Sequence, residues 1–222
     1  MKGITLYDIK EHLALDEAPS KYLIKNREHL KNTPLERIYD LQKVEQEPKF
    51  HPEGNVWNHT VQVVDNAAKL KKYANKINEF MFAAMLHDIG KGATTKRNKD
   101  GKLISYNHDE VGAKLVEEIL KRCDSEFLDI SYVSKLVKYH MHHLYIVKNL
   151  PYGNTEEMIK EANLNDLVLL FICDRLGRNQ KTTEEKMKEI NDINKILIYL
   201  KTKYNITLEN IENNFRNIIN SI

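Results

Sequence analysis

Cysteine is nearly absent from this 222-residue chain, with only Cys123 and Cys173 present. Two thiols make no disulfide framework, so a reducing cytoplasm is the expected setting. No apolar stretch approaches the length of a membrane span and no N-terminal apolar region suggests export, so no membrane partner is expected. An excess of one charge is missing too: 34 basic side chains face 32 acidic ones, a formal charge of +2. That balance excludes a broad basic surface for nucleic-acid backbones, and any polynucleotide contact must be local. Internal repeats, low-complexity tracts and alternating strand patterns are also wanting. Glycine and proline number only eight and five, and most fall at a few breaks: Pro19, Pro34, the stretch 48–54, the stretch 90–101, and 151–153.

Between the breaks, apolar residues recur at helical spacing. Val56, Val63, Val64, Ala67 and Leu70 give one stripe, and Phe80, Ala83, Ala84 and Leu86 another. Further helices are expected over 110–122, 130–144, 155–162, 165–177, 183–204 and 208–219. The fold class is therefore all-α, a helical bundle with N- and C-terminal helical extensions. Hydrophobic residues make up 41% of the chain and charged residues 30%, enough for a sizeable core in one domain. That domain is divided into a helical segment 1–45, a core 46–180 and C-terminal helices 181–222. Met187, Ile190, Ile193, Leu197, Leu200 and Tyr204 form a stripe on the helix from Thr183, open to two readings: core packing or a homodimer interface. The polar segment 96–107 reads as a mobile lid or as a solvated connection.

Seven of the nine histidines fall between His51 and His143, leaving His12 and His29 outside. The densest element is Met85-Leu86-His87-Asp88-Ile89-Gly90-Lys91-Gly92. His87 and Asp88 close an apolar helix stopped by Gly90, where a buried carboxylate is costly unless a cation compensates it. Adjacent helix positions point about 100° apart, so further ligands must come from other helices. His59, on an apolar-flanked helix, and Asp174, after the apolar run 167–173, are the candidates. A buried salt bridge to Arg175 or Arg178 is the alternative for Asp174. Imidazole and carboxylate donors without thiolate suit Mn, Fe, Co, Ni or Zn, with Mg also open.

The ordered set His59, His87-Asp88, Asp174 resembles the H…HD…D signature of the HD superfamily of metal-dependent phosphohydrolases. The run His51-Pro52-Glu53-Gly54-Asn55-Val56-Trp57-Asn58-His59-Thr60 is similar to a run in the HD domain of bacterial CCA-adding tRNA nucleotidyltransferases. Leu86 to Lys91 with Thr94-Thr95, His108 to Gly112, and Cys173 to Arg178 resemble further words of that family. The resemblance covers about 46–178, with Asn55 standing where the family has Asp and a shifted wording at Asn107 to Glu110. The strand-rich nucleotidyltransferase head has no counterpart here, so CCA addition is not implied and the HD module is expected to stand alone. The resemblance implies a phosphomonoesterase or phosphodiesterase acting on a nucleotide or other small phosphoester through metal-activated water. Asp88, His87 and Lys91 are the catalytic candidates. A second metal on His108, His140 and His143 is open, with His142 as a substitute, while His51 reads as a loop residue or substrate contact. Lys91 and Arg178 are the candidate phosphate contacts. Trp57 and Tyr106 are open to base stacking, with packing the plainer use of each. A nucleotide-binding regulatory module and an RNA-associated module with little turnover are the competing readings.

Overall fold

The computed structural model describes residues 4–176 and 182–222. The all-α expectation holds. Ten helices come before the C-terminal part of the core or within it: α1 (Leu6–Leu15), α2 (Ser20–Asn26), α3 (Glu36–Asp40), α4 (Val56–Leu70), α5 (Ile77–Leu86), α6 (Lys91–Thr94), α7 (His108–Lys121), α8 (Ile130–Tyr139), α9 (His142–Val147) and α10 (Thr155–Glu161). Then follow α11 (Leu164–Leu176), α12 (Thr183–Tyr204) and α13 (Glu209–Ser221). One buried apolar core runs through them from Leu6 to Ile218.

Helix α5 is buried on every side from Phe80 to Leu86, and α11 likewise from Asn165 to Asp174. A helix apolar all round must lie in the centre of a bundle, and α1, α4, α8 and α11 all pack on α5. Where α5 starts is set by a buried carboxylate. Asp166 accepts hydrogen bonds from the Asn75 N–H at 2.7 Å, the Lys76 N–H at 3.1 Å and the Tyr132 hydroxyl at 2.8 Å. The start of α5 is thereby tied to α8 and α11, which sets the register in which its far end delivers His87 and Asp88. At the start of α4, Asn55 accepts from the Asn58 N–H at 2.8 Å, an N-cap that aims His59 inward.

Three expectations change. Gly90 does not end α5 in a left-handed cap: its φ is −67°, and the chain turns directly into α6. Glycine is required there by proximity, since a Cβ on Gly90 would lie 2.0 Å from the His108 carbonyl oxygen and 2.6 Å from the Gly112 nitrogen. The helix expected over 130–144 is broken at His140 and Met141 into α8 and α9, because the chain turns where the His140 ring takes the Val137 carbonyl at 2.7 Å. The segment 96–107 holds an antiparallel pair, β1 (Lys96–Arg97) with β2 (Leu103–Ile104). It is pinned to the segment before α4 by Arg97 to Glu45 at 3.1 Å and by the Leu103 N–H to Glu47 at 3.3 Å. The α12 stripe divides: Ile193, Leu197 and Leu200 are core, whereas Met187 is 52% exposed.

Candidate metal centre

His59 comes from α4, His87 and Asp88 from the turn after α5, His108 from the first residue of α7, His140 from the turn after α8, and Asp174 from α11. All six are buried. Asp88 is the centre of the arrangement. Its Oδ2 lies 3.3 Å from His87 Nε2 and 3.6 Å from His59 Nε2, while its Oδ1 lies 3.3 Å from His108 Nε2 and 3.6 Å from His140 Nε2. Asp174 Oδ1 completes the first side at 2.9 Å from His59 Nε2. Two groups able to hold an ion therefore meet at Asp88: His59 and His87 with it, and His108 and His140 with it.

The ring orientations are set by the backbone. His87 Nδ1 faces the Ala84 carbonyl at 2.9 Å, His108 Nδ1 the Ser105 carbonyl at 2.7 Å, and His140 Nδ1 the Val137 carbonyl at 2.7 Å. A carbonyl oxygen only accepts, so each Nδ1 carries the proton, and in the neutral rings each Nε2 presents a lone pair. Those Nε2 atoms nonetheless face each other, His59 to His87 at 3.3 Å and His108 to His140 at 3.2 Å. Nitrogens held this close beside a carboxylate are favoured by a positive charge between them, a metal ion or a shared proton. The spacing suits a first-row ion: ligands about 2.1 Å from a metal, about 90–110° apart, stand about 3.0–3.4 Å from one another. The donors present thus fit one or two divalent ions.

Charge is arranged to match. Burial alone would push the Asp88 carboxyl up, but the Lys91 ammonium beside it holds it well below the usual carboxylate range. Lys91 Nζ lies 2.7 Å from Asp88 Oδ2 and 2.8 Å from Gln46 Oε1, at the floor of a cleft of about 680 Å3. Glu53 and Gln46 went unnoticed in the sequence. Glu53 Oε1 stands 2.8 Å from His51 Nδ1 and 3.0 Å from His59 Nδ1, the latter contact poorly aligned for a hydrogen bond. Burial works against ionisation of Glu53, yet His51 and His59 keep its carboxyl below the ordinary value. A carboxylate behind a ligating histidine orients the ring and raises its basicity. The run from His51 to Thr60 contains Glu53, and only its own chemistry, a carboxylate six residues from a candidate ligand, marks it there.

The structure separates other candidates from the cluster. His143 does not share a face with His140, since the helix breaks between them. Its Nδ1 lies 2.7 Å from the His140 carbonyl and its ring packs on Phe171, and burial pushes its pKa down to about 3. His142 lies instead between Tyr139 and Tyr145. Trp57 is 2% exposed and packs in the core, so base stacking is not its use. Arg175 pairs with Glu189 and Asp192. Tyr106 is 71% exposed and lines the cleft. Arg178 lies outside the described residues. His12 pairs with Asp16 and stacks on Tyr22, remote from the cluster in chain and contacts.

The HD domain family matches residues 56–179, more than half of the chain. The chain belongs to the HD domain family. HD domains form a superfamily of metal-dependent phosphohydrolases, and the histidine and aspartate cluster of this one supplies donors for a divalent metal. This HD domain is 30% identical over 99 residues to the multifunctional CCA protein of Hahella chejuensis, covering 45% of this chain and 22% of that protein. It is 29% identical over 150 residues to the multifunctional CCA protein of Vibrio vulnificus (65% and 35%). It is 33% identical over 136 residues to the A-adding tRNA nucleotidyltransferase of Deinococcus radiodurans (59% and 30%). The chain thus matches only 22% to 35% of the length of these relatives. Among the described residues no helix is long and apolar enough to cross a membrane.

Proposed function

We propose that this HD domain hydrolyses a phosphoester of a nucleotide or similar small molecule. The observation that carries the reading is Asp88, whose two oxygens each face a pair of imidazole nitrogens while Lys91 holds the same carboxylate from the cleft side. His59, His87, Asp88 and Asp174 would hold one divalent ion, and Asp88, His108 and His140 a second. A divalent ion bound there supplies Lewis acidity, lowering the pKa of water and neutralising charge on phosphoryl oxygens.

The chain's own residues do the rest. Lys91 is fixed beside the carboxylates, where its ammonium is placed to take a phosphoryl oxygen as charge builds on it. Asp88, held ionised, fixes the cluster against which the attacking water is oriented. That water forms the new bond to phosphorus as the bond to the leaving oxygen breaks. Glu53 keeps the His59 ring aimed at the cluster. The relatives' printed names refer to tRNA, so an RNA terminus carrying a 2′,3′-cyclic phosphate belongs among the substrates to try. With no membrane-spanning helix among the described residues and two free cysteines, we assign the protein to the cytoplasm.

Phosphate release from 2′-, 3′- and 5′-nucleotides, and ring opening of 2′,3′-cyclic nucleotides, should require added Mn, Co, Ni, Zn or Mg and should vanish in Asp88→Ala. Folded, metal-loaded protein that turns over none of these substrates would sink the hydrolase reading. Nucleotide binding surviving without turnover would favour a regulatory module in its place.

A further inference from the structure

Two large aromatic side chains that are more than half exposed line the cleft. Phe50 is 59% exposed and Tyr106 is 71% exposed, and both line the same 680 Å3 space whose floor holds Asp88 and Lys91. The core uses neither ring. Each is joined in the chain to the metal cluster, Phe50 directly before His51 and Tyr106 two residues before His108. The two rings thus belong to different parts of the cluster's surroundings, Phe50 next to His51 and Tyr106 near His108, and line one cleft.

The segments carrying the rings are not loose. The Phe50 and His51 N–H groups both bond to the Glu47 carbonyl at 3.0 Å, a tight turn. The same Glu47 receives the Leu103 N–H through its side chain at 3.3 Å, and Arg97 reaches Glu45 at 3.1 Å. The turn bearing Phe50 and the hairpin leading to Tyr106 are thus one frame. Asn107, in the left-handed region at φ 58°, turns the chain so that His108 goes in while Tyr106 stays out. Beside Tyr106 the cleft wall is apolar, through Leu103, Ile104, Leu144 and Val147.

We propose that Phe50 and Tyr106 are the specificity residues of this site, a pair of rigid aromatic jaws that grip the base of a nucleotide whose phosphate reaches the floor. This rests on the hydrolase reading for the position of the phosphate. Every base has a flat π face and stacks on phenyl or phenol rings without demanding hydrogen bonds. The volume lies within the range of about 300–1,000 Å3 usual for small-molecule sites. A long RNA would require a basic track, whereas the cleft lining mixes Lys148, Lys188 and Lys195 with Glu45, Glu47 and Glu189 and the net charge is only +2. The unit recognised is therefore a mononucleotide or a single terminal nucleotide.

The test uses the full chain supplied with Mn, comparing adenosine 5′-monophosphate with ribose 5-phosphate, which keeps the sugar and phosphate and lacks the base. Stacking contributions of the usual size predict that Phe50→Ala and Tyr106→Ala each lower the ratio of the two kcat/KM values about tenfold, chiefly through KM for the nucleotide. Tyr106→Phe should retain the ratio. An unchanged ratio in both alanine variants, or equal losses on both substrates, overturns the proposal. If wild-type protein hydrolyses neither compound, the hydrolase reading is decided by the wider substrate panel above, and equilibrium dialysis of labelled adenosine 5′-monophosphate decides the jaws separately. About tenfold weaker binding in the alanine variants supports them, and binding that is absent in wild type or unchanged in the variants overturns them.

Discussion

Replacing Gly90 by alanine adds one methyl group at the place where the His87-Asp88 turn rests on α7. The added carbon would fall 2.0 Å from the His108 carbonyl oxygen and 2.6 Å from the Gly112 nitrogen. Both obstacles are backbone, so relief requires moving the turn or the start of α7 by about an ångström, where a side chain would merely rotate. Overpacking of this kind costs about 3 kcal/mol at the upper end of its range. With a urea slope of about 3 kcal/mol/M, the midpoint of unfolding should fall by about 1 M. The same movement pulls His108 Nε2 from its 3.3 Å approach to Asp88, so metal at the His108 and His140 group should weaken as well. Gly112→Ala is the comparison: its added carbon would meet a Val137 methyl at 3.2 Å and the Gly90 nitrogen at 3.4 Å, a contact a side chain can relieve, and its loss should be smaller. Urea titration of chelated protein, with metal stoichiometry by elemental analysis, measures both effects. A Gly90→Ala midpoint equal to wild type, or above that of Gly112→Ala, would refute the reasoning.

His87→Ala or Asp174→Ala should bring bound metal well below stoichiometric, whereas His12→Ala should leave it unchanged; full occupancy in His87→Ala would remove the ligand assignment. Glu53→Gln should weaken metal binding about 10-fold to 100-fold by loosening the His59 ring, with the fold intact; isothermal titration with the metal alone gives the answer, and wild-type affinity would dismiss the positioning role. Asp129 caps α8 and pairs with Lys76, and its carboxyl is lowered chiefly by that pair, with the Tyr132 N–H adding to it. A carboxyl lowered in the folded state stabilises above its unfolded pKa of about 4 and loses that stabilisation as pH falls through the folded value. Wild type should therefore lose more stability than Asp129→Asn between pH 5 and 3, and parallel pH profiles would contradict the capping charge.

Helix content was legible because it is written in local spacing. The apolar periodicity of Val56 to Leu70 and Phe80 to Leu86 requires a buried face whatever packs on it. The donor set was legible for a related reason: imidazoles and carboxylates set beside apolar runs demand a partner, and His59, His87, Asp88, His108, His140 and Asp174 do converge. Spacing could not report the break at His140, since a ring nitrogen capturing the Val137 carbonyl interrupts a pattern that is periodic on paper. His143 was misplaced for that reason.

What the sequence alone determined about this protein is the class of fold and the chemistry of the donors, because both follow from residue type and short-range spacing. Only the tertiary structure decided that Asp88 is shared between two pairs of imidazoles, that Glu53 stands behind His59, that Gly90 is needed for proximity and not for a turn, and that Phe50 and Tyr106 face one cleft. Each of these joins segments far apart in the chain, and such contacts depend on how whole helices cross, which no local pattern encodes.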